Sequence, residues 1–122
     1  MVNRTSEWEL RASQNLKTAT LLACRSTPLF LPAVSHIYYA GFQASHAFLH
    51  RTHKTLPSDA THGNLWEAVN KLRPGLGNDL RDLHSWRRKA DYATGLIPDE
   101  RARELIEQFA TVTRSLGIKD SP

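Results

Sequence analysis

Cysteine is nearly absent: Cys24 is alone in the chain, so no internal disulfide can form and a disulfide scaffold is excluded. A reducing, cytoplasmic compartment is the expectation. Long apolar runs are missing too, and the mean hydropathy is -0.46, which excludes a membrane span of about 20 apolar residues. The opening stretch, MVNRTSEWELR, has no apolar segment behind its charges, so no secretory leader is expected. Alternating apolar and polar runs do not occur, and nothing reads as a strand. There is no internal repeat, low-complexity tract, Gly-rich phosphate loop, GxSxG elbow, HExxH pair or paired-cysteine motif.

What is present is an ordinary globular composition. The 122 residues are 40% hydrophobic and 23% charged, enough for one domain with a core that needs no staple. A single domain over 1–122 is expected, with its core at about 5–116 and a tail at 117–122. Lys and Arg number 16 against 12 acidic residues, a net charge of +4. Such a surface favours a polyanion or an acidic partner.

Turn signals cut the chain into helices. Ser6 and Glu9 form a capping box for the first, whose apolar side is Trp8, Ala12, Leu16, Ala19, Leu22 and Ala23 and which ends near Arg25. LFLP at 29–32 reads as an apolar connection over the bundle end. The second helix starts around Pro32. Its arc is Val34, Ile37, Tyr38, Gly41, Phe42, Ser45, Phe48 and Leu49, and Gly41 and Ser45 admit a close neighbour. KTLPSDATHG at 54–63 is a loop. A short third helix follows, with Asn64 as N-cap, Glu67 three residues on, and Leu65, Ala68, Val69 and Leu72 on its apolar side. PGLG at 74–77 ends it. The fourth helix is expected from after Asn78 to about Thr94. The last runs from Pro98 to about Leu116 and stops at Gly117, with Asp99 and Glu100 suiting its positive end. Its stripe is Ala102, Leu105, Ile106, Phe109, Val112, Thr113 and Leu116. The fold class is therefore all-α, an antiparallel four-helix bundle with one additional short helix.

Two constellations could carry chemistry. On helix four, at about 100° per residue, Leu80, Leu83, Trp86 and Ala90 mark the buried arc, and Arg87 falls inside it. Its guanidinium needs an acceptor, and Asp91, four residues on, is nearest. The plain alternative is a surface ion pair worth about 0.3–0.5 kcal/mol. His84 lies at the arc's edge; Arg88 and Arg81 lie further round, toward solvent or a ligand. On helix two, His46, His50 and His53 share a face with Tyr39 and Gln43, opposite the apolar arc. Histidines four apart can chelate a metal. With no carboxylate in the stripe, a solvated or partner-facing surface is the better reading, and neither a metal nor a cofactor is expected. Those histidines suit acid–base work, and Tyr39 suits a protein interface. Cys24 reads as a packed thiol, and Trp8, Trp66 and Trp86 as packing residues on three helices.

The order of these segments resembles HEPN-domain proteins. HIYYAGFQASHAFL at 36–49 is similar to their YYAxFxAxxALL helix, THG at 61–63 to the tHxg that follows, and WRRKADY at 86–92 to their RxxADY element. The likeness runs from about residue 5 to 116. It implies a small helical bundle, a homodimer, and RNA or nucleotide binding, often beside a minimal nucleotidyltransferase antitoxin. Nuclease members carry an Arg followed about four to six residues later by a His, and two copies form one metal-independent site. No arginine here is followed by a histidine at that separation; five residues beyond Arg87 stands Tyr92. Arg87 carries over best, with Asp91 and Tyr92 as motif members of unassigned role. A tyrosine with its ordinary pKa of about 10 is a poor base at neutral pH.

Three functions follow. The first is an HEPN-like toxin–antitoxin or defence module that binds RNA, a nucleotide or a protein partner. The second is a metal-independent endoribonuclease using Arg87 or Arg88 with a displaced His84, His46 or His50. The third is a purely structural bundle.

Overall fold

Apolar stripes at helical spacing fold as helices and bury against one another. The computed structural model describes residues 4–52, 62–92 and 97–118. Helices α1 (Arg4–Ala23), α2 (Phe30–Arg51), α3 (His62–Leu72), α4 (Leu76–Tyr92) and α5 (Asp99–Ser115) make it all-α, with no strand among the described residues. None of the described helices is long and apolar enough to cross a membrane.

Helix α2 is the centre, packed against α1, α3, α4 and α5. Its expected arc is buried at Val34, Ile37, Tyr38, Gly41, Ser45 and Leu49, while Phe42 and Phe48 are partly covered. Its other side is buried as well, at Ala33, Ala40, Ala44 and Ala47. These small side chains let α1 lie close, and α1 answers with Ala12, Leu16 and Ala19, all fully buried. Toward α4, a Cβ added at Gly41 would meet Leu80 Cδ2 at 3.0 Å, so the two backbones approach closely there. The α5 stripe is buried as its spacing requires, apart from partly covered Val112. The hydroxyls buried between helices are satisfied locally: Ser45 donates to Gly41 O and Thr113 to Phe109 O.

Side-chain bridges set the helix directions. Arg51, at the end of α2, pairs with Glu9 near the start of α1 at 3.1 Å and donates to the Leu116 carbonyl just past α5. Helix α1 is therefore antiparallel to α2, whereas α5 runs with it. Gly41 meets Leu80 and Tyr39 meets Arg87, so α4 is antiparallel to α2. Helices α1, α2, α4 and α5 form the four-helix bundle, and α3 is the short extra helix, hairpinned onto α4.

Several helix ends depart from the local sequence signals. Helix α1 begins at Arg4, so Ser6 is not its cap, and Glu9 serves the Arg51 bridge instead. Phe30 belongs to α2 rather than to a connection, which puts Pro32 in the first turn, where its missing N–H costs little. Helix α3 starts at His62, so Asn64 lies within it. Helix α4 starts at Leu76 instead of after Asn78, because its cap comes from another helix. Asn70 Oδ1 on α3 accepts from the Gly77 N–H at 2.6 Å and the Asn78 N–H at 3.3 Å. The turn before it needs Gly75 at φ 89°. Gly77 is seated on α3 so tightly that an added Cβ would overlap the Trp66 carbonyl oxygen. At the other end, Gly117 at φ 94° closes α5 as expected, its N–H donating to Arg114 O at 2.9 Å. Cys24 is exposed in the turn after α1 and is not a packed thiol, because the helix ends before it.

The α3–α4 hairpin yields a graded prediction for urea denaturation. Asn70→Ala costs about 1 kcal/mol as a lost cap. Gly75→Ala costs about 1–2 kcal/mol through its left-handed backbone. Gly77→Ala costs about 3 kcal/mol or more, because backbone rather than a flexible side chain blocks the new methyl.

Candidate functional site

Spacing on α2 places Tyr38, Phe42 and His46 one above another at four-residue intervals. In the fold they become the middle of a continuous row of rings. Trp8 from α1 stacks on His46 at 4.3 Å with planes 10° apart. His46 meets Phe42 edge-on at 4.8 Å, and Phe42 lies 6.0 Å from Tyr38. Tyr38 lies 5.1 Å from His84 of α4, which is 5.3 Å from Trp66 of α3. Four helices are thus tied by six rings, in the offset and edge-on geometries that aromatic quadrupoles favour.

Arg87 enters this row from α4. Its guanidinium carbon lies 5.6 Å from the Tyr38 ring centre and 5.2 Å from that of Tyr39, and Nη1 donates to the Tyr39 hydroxyl at 2.5 Å. The stem is packed and the cation is half-buried over two π-faces. Burial pushes the Tyr38 phenol well above the ordinary tyrosine range. The Arg87 charge and the neighbouring Trp66 indole pull it the other way without overcoming burial. Tyr38 is fully buried and held neutral.

The helix wheel placed Arg87 correctly, inside the arc of α4 that faces the core. An acceptor it did not find is the Tyr39 hydroxyl on α2; the Asp91 and Tyr92 side chains lie outside the described residues. Arg81 and Arg88 are exposed, as expected, and share one flank of α4 with half-buried His84. The helix-two face is corrected. Tyr39 is half-buried and turned to Arg87, and His46 is only 8% exposed in its stack on Trp8. Gln43 accepts from Asn15 Nδ2 at 2.8 Å, and the same Asn15 meets His36 Nδ1 at 2.8 Å. The reason is that α1 lies across the His36, Gln43 and His46 side of α2, which its sequence marks as solvated or partner-facing, while α4 meets Tyr39. His50 is half-buried at the far end of α2, away from Arg87, and His53 lies outside the described residues. No group of three His, Cys, Asp or Glu gathers among the described residues.

Trp8, Trp66, Phe42 and Tyr38 are the members of this site that sequence reasoning treated only as packing. The four-residue spacing of Tyr38, Phe42 and His46 was the available signal. A separate cationic cluster lies between α4 and α5, where Lys89 and Arg101 approach the Trp86 ring at 4.6 and 5.4 Å.

No protein-family model, curated protein or solved structure matches this chain.

Two measurements check the site's energetics. In a denaturation cycle, Tyr39→Phe costs about 1 kcal/mol, Arg87→Ala costs more, and the coupling between them is about 1–2 kcal/mol. The neutral Tyr38 sets an alkaline limit. Its folded pKa lies above its unfolded value of 10.0, so its contribution is complete below that value and is lost as pH rises past it. Absorbance titration near 295 nm should show one of the tyrosines ionising only on unfolding, and Tyr38→Phe should abolish that late step.

Proposed function

We propose that this chain is an HEPN-like module of a toxin–antitoxin or defence-type system that binds RNA without cleaving it. The observation that carries the reading is the division of labour among the α4 arginines. Arg87 is turned inward, bonded to Tyr39 and stacked over two tyrosine rings. Arg81 and Arg88 stand exposed on the flank beside His84. The inward arginine fixes α4 on α2, and the outward pair offers charge to a phosphate backbone. Guanidinium groups pair bidentately with phosphate, and a basic chain adds long-range attraction. His84, wedged between Tyr38 and Trp66, orients the flank in this scheme and is not the base of a nuclease. The motif order of HEPN-domain proteins and the missing Arg-to-His spacing both support binding over catalysis. A homodimer, and a nucleotidyltransferase as partner, belong to the same proposal as inferences from the resemblance.

The test is anisotropy of a labelled single-stranded RNA across a salt series, with a parallel cleavage assay on total RNA in EDTA. Affinity should fall with salt at a log–log slope of about −0.7 per phosphate neutralised. Arg81→Glu with Arg88→Glu should weaken it by about tenfold or more, and the RNA should stay intact. Salt-insensitive or absent binding would contradict the proposal. Metal-independent cleavage lost in Arg87→Ala or Arg88→Ala would replace it with the ribonuclease.

A further inference from the structure

Trp86 is the tryptophan that the aromatic row leaves out. It is half-buried toward the end of α4, where it lines a narrow cleft of about 120 Å³ with Leu83 and, from α5, Leu105 and Phe109. Two exposed cations approach its ring. Lys89 Nζ, one turn on, lies 4.6 Å from the ring centre, and the Arg101 guanidinium carbon, from the start of α5, lies at 5.4 Å. The ring quadrupole draws cations to it, but at an exposed site that attraction is weak. A nucleic-acid base stacked on an aromatic face gains more. Trp86 is therefore a platform whose lysine cover can be displaced. Trp8 and Trp66 differ, being packed on the rings of His46 and His84.

The groups beside the platform suit one strand of phosphates. Round α4, at about 100° per residue, the order is Arg88, Arg81, Ser85, Lys89 and then Trp86. The first four are all exposed. Arg81 and Arg88 make no ion pair among the described residues, unlike Arg11, Arg51 and Arg101. The acids lie to one side of this stripe. Asp82 and Asp79 line the cleft one and two turns before Trp86, toward Gln108. Glu104 is paired with Arg101 at 3.2 Å, Asp99 lines the separate depression at Pro28 and Ile97, and Glu100 is exposed in the first turn of α5. Carboxylates on the cleft side repel phosphate there. A strand would lay its phosphates along the Arg81–Lys89 stripe and turn a base, which is neutral, onto the indole.

We propose that Trp86 is the base-stacking platform of a single-stranded RNA site that the α4 stripe completes. Arg81, Ser85 and Arg88 hold a phosphate. An unpaired base displaces Lys89 from the indole, and the freed ammonium meets the neighbouring phosphate. Arg101 steadies the platform from the α5 side. The inference rests on the RNA-binding reading of α4 and adds what is recognised: the face of an unpaired base as well as backbone charge. An RNA duplex keeps its base faces stacked on one another and has none to offer. An acidic peptide offers charge with no planar face to replace Lys89.

Fluorine NMR of the full chain carrying fluorotryptophan makes the test direct, because the chain has three tryptophans and Trp86→Phe identifies the signal of Trp86. The labelled chain is titrated with a single-stranded RNA, a duplex of the same sequence and polyglutamate, and affinities are followed by anisotropy. The single strand should move the Trp86 signal and leave those of Trp8 and Trp66 in place. Duplex and polyglutamate should not move it, and the single strand should bind about tenfold or more tighter than the duplex. Trp86→Leu should weaken single-strand binding about tenfold, while Trp86→Phe, which keeps a ring, should retain most of it. RNA binding with the Trp86 signal unmoved, or equal binding of strand and duplex, would overturn the platform and leave the RNA reading standing. A Trp86 shift produced equally by polyglutamate would also overturn it. Absence of any RNA binding would remove the RNA reading and the platform together.

Discussion

Helix α2 must satisfy neighbours on nearly all its sides, and the remaining helices are arranged around that requirement. Its sequence meets it with two kinds of surface. Small residues at Ala33, Ala40, Ala44 and Ala47 let α1 come close, and Gly41 does the same for α4. Larger residues at Val34, Ile37 and Leu49 fill the space between the helices. A helix buried this way contributes more apolar area per turn than a peripheral one, at about 25 cal/mol per Å² removed from water. It also exposes few of its own groups to a ligand. Whatever chemistry the bundle has must therefore come from helices laid on α2, and α4 is the one that sets an arginine over the Tyr38 and Tyr39 rings.

Arg87 shows how burial changes what a cation can do. A guanidinium at the surface is a phosphate ligand in waiting; one held over Tyr38 and Tyr39 and bonded to a hydroxyl has its geometry fixed from within. The ring row from Trp8 to Trp66 extends that bracing across four helices. Removing the charge would leave Tyr39 without its donor and Tyr38 without the cation that partly offsets its burial. The exposed Arg81 and Arg88 carry no such cost, so their substitution should separate binding from stability. At the opposite pole, Arg51 plays a comparable bracing part, joining Glu9 of α1 to the Leu116 carbonyl past α5.

Much of the bundle was legible because its peripheral helices obey a one-stripe rule. Leu80 and Leu83 of α4, Ala12, Leu16 and Ala19 of α1, and Leu105 and Phe109 of α5 are buried where a period of 3.6 residues places them. Arg87's half-buried position followed from the same wheel. The rule fails for α2, because a central helix has no free face. His46 and Tyr39 were assigned to an outward, solvated or partner-facing side, although His46 lies under Trp8 and Tyr39 under Arg87. The run of alanines opposite the apolar arc was the signal that a second helix lay there. The start of α4 was hidden for a different reason: its capping oxygen belongs to Asn70, on another helix, and no local motif can reveal a cap made through tertiary contact. The Tyr39 hydroxyl as an acceptor for Arg87 is likewise a contact 48 residues distant in sequence.

In the proposed reading Arg87 is an internal brace, and Arg81 and Arg88 make the outward contacts. Nitrogen-detected NMR of the arginine guanidinium groups tests it most directly, in the unbound protein and with single-stranded RNA added. Slow rotation and resolved Nη resonances are expected for Arg87 in both states, with RNA-induced shifts among the α4 arginines confined to Arg81 and Arg88. An Arg87 guanidinium that rotates rapidly without RNA, or whose resonances move most when RNA is added, would contradict it.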